Sequence, residues 1–152
     1  MKKAFRGIYI LYIIYYILYI MATKSSFLKA YNTHFFEFLD DVIRILPDDP
    51  AIQKARNSFE TIKKMNPTSL CKAWMKFVYV PYKDVIDAGD ISFFYDKDYG
   101  ADVAHLPDAK EILSIIDKIR MPIKTMDETN KAHCTKYVQN LSKIAMMYNQ
   151  AS

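Results

Sequence analysis

The chain has 152 residues, 51% apolar and 25% charged; that is enough for one globular domain with a sizeable core and too apolar for a disordered chain. Three glycines and six prolines disfavour turn-rich sandwiches and barrels, so the fold class read from composition is all-α. The net charge of +4 owes three charges to Lys2, Lys3 and Arg6, and from Met21 onward 18 basic residues face 17 acidic ones, which excludes a general electrostatic footprint for nucleic acid.

The first element is the run IYILYIIYYILYIMA, residues 8–22, in which every residue is apolar or Tyr. At a helical rise its length is about 22 Å, short of the roughly 30 Å hydrocarbon core of a bilayer. Tyr9, Tyr12, Tyr16 and Tyr19 recur at spacings of three and four and form one stripe of a helix, and Tyr belongs at the membrane interface. Three readings of residues 1–22 stand side by side: an extension from a mis-set start codon, with Met21-Ala22-Thr23 opening the protein; a membrane-associating or signal-like segment behind a basic leader; and a helix packed on the domain or on a partner. As a signal it has a poor cleavage site: with Ala22 at −1, the residue at −3 is Ile20, which is large.

Residues 25–150 read as a single helical bundle of about five or six helices. Ser25 or Ser26 is expected to cap a first helix carrying Phe27, Leu28, Tyr31, Phe35, Phe38, Leu39, Val42, Ile43 and Leu46 inward, ended by Pro47. Asp49-Pro50 signals a second, with Ile52, Ala55, Phe59, Ile62 and Met65 inward. Asn66-Pro67 repeats the signal for a third, carrying Leu70, Trp74, Phe77 and Val78 and expected to end or kink at Val80 before Pro81. Tyr82 to Ala88 makes a short helix stopped by Gly89, and Asp90 caps another through Ile91, Phe93, Phe94 and Tyr95. Asp96 to Pro107 reads as irregular. Asp108 is expected to cap a helix with Ile112, Leu113, Ile115, Ile116 and Ile119, closed before Pro122. Asp127 or Thr125 starts the last, with Ala132, Tyr137, Val138, Leu141, Ile144, Ala145 and Tyr148 as its stripe.

Motifs for chemistry are sparse. The loop Asp96-Lys97-Asp98-Tyr99-Gly100-Ala101-Asp102 alternates acids like a calcium loop, but Gly100 and Ala101 stand where a ligand and the glycine belong and Pro107 where a bidentate Glu belongs, so it reads as solvated. Cys71 and Cys134 lack CxxC spacing and read as two ordinary thiols. A zinc set of Cys71, His105, His133 and Cys134 has no diagnostic spacing, and His133 and Cys134 as helical neighbours make no base and nucleophile pair. No metal or cofactor is expected, and no catalytic residue.

What remains is surface. Trp74, Tyr79, Tyr82, Tyr95, Tyr99, Met146 and Met147 are the candidate interaction surface, since aromatic residues and Met are enriched where proteins meet. Lys63, Lys64, Lys72 and Lys76, some of them beside aromatic residues, are candidate phosphate contacts under the alternative reading of a regulatory module that binds nucleic acid or a host factor.

The stretches FFEFLDDVIRILPDDPAIQKARNSFETIKKMNP, LCKAWMKFVYVPYKDVIDAGDISFFYDKDY and KYVQNLSKIAMMYN resemble a family of small helical proteins of nucleocytoplasmic large DNA viruses, algal-virus and mimivirus-like. The resemblance covers about Phe27 to Asn149 and leaves Met1 to Ile20 outside. It implies a viral setting, the virion or a factory in the host cytoplasm. It implies a non-enzymatic structural or assembly protein that acts through contacts with other viral proteins, with a membrane partner only if residues 8–22 are retained, and it transfers no catalytic residue.

Overall fold

The computed structural model describes residues 10–15, 23–104 and 109–151, without the side chains of residues 102, 103, 109, 111, 112, 115 and 116. Every regular element among the described residues is helical: α1 (Lys24–Ile45), α2 (Pro50–Met65), α3 (Ser69–Trp74), α4 (Val80–Asp87), α5 (Ser92–Asp96), α6 (Gly100–Val103), α7 (Ala109–Lys124) and α8 (Glu128–Gln150). Residues 10–15 are also helical. The all-α bundle expected from composition is the fold.

α1 begins earlier than its serines suggest. Thr23 is the N-cap, its side chain accepting from the Ser26 N–H at 3.2 Å, so Ser25 and Ser26 lie inside the first turn. α2 starts where Asp49-Pro50 places it: the Asp49 carboxylate accepts from the Ala51 N–H at 3.0 Å and Pro50 occupies the first turn, where its missing N–H costs nothing. Its far end departs from the pattern, with Met65 82% exposed. Asn66 caps by an Asx turn instead of as the N-cap: Oδ1 accepts from Thr68 N and Oγ1 at 3.1 and 2.9 Å, and α3 starts at Ser69.

Both interior prolines are absorbed. Ahead of Pro81 the backbone opens into a π-helical turn, Met75–Tyr79, and the Val80 N–H reaches back five residues to the Met75 carbonyl, the wider register in which a helix accommodates an inserted irregularity. The kink falls at Tyr82, φ −120 and ψ 19, and α4 continues to Asp87. Pro122 likewise lies within α7, which runs on to Lys124. Gly89 stops α4 as expected, at φ +83. The N–H groups of Gly89 and Asp90 bond to the carbonyls of Ile86 and Val85 at 2.9 and 2.8 Å, a Schellman arrangement. Asp90 then accepts from the Ser92 N–H at 2.9 Å and Asp127 from the Asn130 N–H at 2.8 Å, opening α5 and α8. The expected Asp108 cap lies outside the described residues, as do His105 and Pro107, and so do the side chains of Ile112, Ile115 and Ile116.

α1 and α8 form the main pair, and α2, α3 and α7 close around them. The core holds Tyr31, Phe35, Leu39 and Val42 from α1, Ile52 from α2, Leu70 and Cys71 from α3, and Leu141, Ala145 and Tyr148 from α8. Polar bridges fix the register: Arg56 donates to Asp40 at 2.6 Å, Asn32 to the Pro67 carbonyl at 3.0 Å, and Gln139 to the Ile86 carbonyl at 3.0 Å. Ala132, expected inward, is exposed, and Cys134 takes the buried position of that turn.

Candidate functional site

Titratable side chains converge in a cleft of about 380 Å³ between α1 and α8. Asn130, His133, Cys134 and Tyr137 recur at spacings of three and four and so share one face of α8; Phe38 and Asp41 meet them from α1. Tyr137 donates its hydroxyl to Asp41 Oδ2. Its ring stacks on Phe38 at 4.9 Å between centroids and lies 4.8 Å from the His34 ring. His34 Nδ1 is 3.3 Å from Glu37 Oε2, and His34 Nε2 is buried without a hydrogen-bond partner.

The electrostatics oppose acid–base work. The Tyr137 hydroxyl holds the Asp41 carboxyl below its usual range, and Arg44 lowers it further. Burial, and then the Asp41 charge, push Tyr137 up to about 12. The acid is weaker and the base weaker than either would be in water, so neither is poised near neutrality. Cys134, buried with Sγ 3.7 Å from Met126 Sδ, is pushed up to about 11 by desolvation, and Cys71 likewise. The thiolate is the nucleophile, so both sulfurs are packing atoms at neutral pH. Among the described residues no three His, Cys, Asp or Glu side chains converge to hold a metal ion. Asp96 is 3.1 Å from Lys124 and Asp98 accepts from the Gly100 N–H at 2.8 Å, while the Asp102 side chain lies outside the description.

Two predictions arise here. Both thiols should resist Ellman's reagent in the native state at pH 7.5 and react once urea is added; rapid native labelling of either would contradict their burial. Tyr137→Phe should destabilise the domain by about 1 kcal/mol at pH 7, the worth of a charged hydrogen bond discounted for the exposure of Asp41. A carboxyl whose folded pKa lies below its unfolded value of about 3.9 stabilises above that value and loses the contribution as pH falls through the folded pKa. The penalty should therefore shrink below about pH 4, as read by urea midpoints; a pH-independent penalty would assign the loss to packing.

No protein-family model, no curated protein and no solved structure matches this chain.

The aromatic residues expected to face a partner turn mostly inward. Trp74 is half-buried, donates from Nε1 to Ser142 Oγ at 2.9 Å, and stands edge-on to Tyr31 and Phe35 at 6.3 and 6.5 Å. Tyr79 and Tyr99 are buried. Tyr82 stacks on Phe93 at 4.3 Å, with the Lys97 ammonium 4.6 Å from its centroid. Tyr95 packs on Phe94 with its hydroxyl buried. Large apolar rings gain from burial, which takes Tyr79 and Tyr99 out of the outward surface, while Trp74, Tyr82 and Tyr95 are half-buried against the bundle, the last two with hydroxyls that lack a hydrogen-bond partner. Met146 and Met147 are half-buried. Of the lysines, Lys64, Lys72 and Lys76 are exposed, whereas Lys63 is 3.8 Å from Glu60 and 4.9 Å from the Phe36 ring centroid. The α1–α8 cleft itself was missed in the sequence; its signal is the 130, 133, 134, 137 spacing facing 34, 38 and 41.

Proposed function

We propose that this is a non-enzymatic structural or assembly protein of a large DNA virus, a virion component that acts through protein–protein contacts. The observation that carries the reading is the division of labour among side chains. Groups with chemical potential are committed to bracing: Tyr137 to Asp41 across α1 and α8, Trp74 to Ser142 across α3 and α8, and both thiols to the core. Large apolar side chains meanwhile stand in solvent at Met65 on α2, Val80 on α4 and Met121 on α7. Met is an adaptable contact residue, flexible and polarisable enough to fill an irregular partner surface. The resemblance to proteins of nucleocytoplasmic large DNA viruses supplies the setting. The test is photo-crosslinking from positions 65 and 121 in purified virions: crosslinks to a defined virion protein are expected at one position or both. Crosslinks to nucleic acid, with binding that weakens steeply with salt, would instead favour a regulator working through Lys64, Lys72 and Lys76.

A further inference from the structure

We propose that residues 10–15 dock the bundle onto the surface of an anionic lipid bilayer. Ile10, Leu11, Tyr12, Ile13, Ile14 and Tyr15 are helical and each between 41 and 71% exposed, so a wholly apolar and aromatic helical surface faces solvent where burial against the bundle would otherwise be strongly favoured. Leu11, Tyr12 and Tyr15 are the most exposed, and their spacing puts them on one face. Tyr places a ring among acyl chains and a hydroxyl among headgroups.

Charge identifies the lipid. The first 36 residues contain five bases, Lys2, Lys3, Arg6, Lys24 and Lys29, and no acid, whereas the rest of the chain sets 16 bases against 17 acids. The bases therefore flank the apolar run while the bundle is close to neutral. Each base near an anionic surface strengthens binding about fivefold, an attraction that falls off within a Debye length. The inference stands on this N-terminal region alone and holds whether or not the bundle belongs to a virion.

The test uses the full chain in flotation with vesicles of phosphatidylcholine alone and with about 30% phosphatidylserine, a strongly anionic surface. Wild type should partition at least about tenfold better onto the anionic vesicles, and the preference should weaken in high salt. Tyr12→Ser with Tyr15→Ser should lower anionic binding at least about tenfold through lost insertion. Lys2→Gln, Lys3→Gln and Arg6→Gln together should lower it by a similar factor or more. Both variants leave the described core untouched and should keep the wild-type urea midpoint. Equal partitioning onto neutral vesicles, retention of binding in the Tyr double variant, or self-association without flotation would overturn the proposal, the last pointing to a second copy of the chain as the occupant.

Discussion

Phe35→Ala lowers stability by about 4 kcal/mol, within the range for removing a buried Phe. Phe35 is 7% exposed and is the hub of the aromatic cluster: its ring lies 6.0 Å from Tyr31, 5.5 Å from Phe36, 5.1 Å from Phe59 and 6.5 Å from Trp74. The truncation removes buried apolar area and leaves a cavity walled by four aromatic rings on three helices, rigid side chains that close packing keeps from collapsing fully into the space. Against a typical domain stability of 5–15 kcal/mol the loss is large. With a slope of about 2 kcal/mol per molar urea the unfolding midpoint should fall by about 2 M at unchanged slope. A shift below about 0.5 M would mean that the cluster is not the centre of the core.

Trp74→Ala is the second large effect, about 3 kcal/mol, and it decides between the surface and interior readings of the same residue. An exposed Trp is removed at a cost within about ±0.5 kcal/mol. In the bundle Trp74 packs edge-on to Tyr31 and Phe35, and its Nε1 reaches Ser142, a residue 1% exposed on α8. Truncation removes the ring contacts and strands the Ser142 hydroxyl in apolar surroundings. Trp74→Phe should keep most of the packing and recover more than half of the loss, and Ser142→Ala should cost about 1.5 kcal/mol by orphaning the indole N–H. Trp74 is the sole tryptophan, so its fluorescence reports the same transition: a blue-shifted native emission that moves red with urea in step with the circular dichroism. A near-neutral Trp74→Ala would return the residue to the surface.

Local signals were the legible part of the fold. Asp49-Pro50, Gly89, Asp90 and Asp127 act within three residues of themselves, and each does in the bundle what its chemistry dictates. The end or kink expected at Pro81 is a kink, at Tyr82, whereas the helix expected to close before Pro122 runs on to Lys124, because the cost of a proline depends on what the surrounding helix can do. A missing N–H and a clash with the preceding turn end a lone helix, yet the backbone opens into a π-helical turn before Pro81, and α7 continues past Pro122 to Lys124. Trp74 shows a different limit. A helix bearing Lys72 and Lys76 beside Trp74, Phe77 and Tyr79 reads as an amphipathic core helix by its spacing and only secondarily as a stacking platform, and the position of α8 is what puts Trp74 against Ser142. The Asp41–Tyr137 brace joins residues 96 positions apart, a pairing no local spacing discloses. Cys134 illustrates the same point: its sequence neighbour His133 says nothing of its surroundings, which are the Met126 sulfur at 3.7 Å and the buried face of α8.

The proposal that the bundle is a virion component rests on its place in an assembly. The most direct measurement is quantitative peptide mapping of infected cells and of gradient-purified virions. Peptides of α1, α2 and α8 are expected in virions at copy numbers comparable to known structural proteins and retained through high-salt washing; their confinement to the infected cell, absent from virions, would contradict the proposed role.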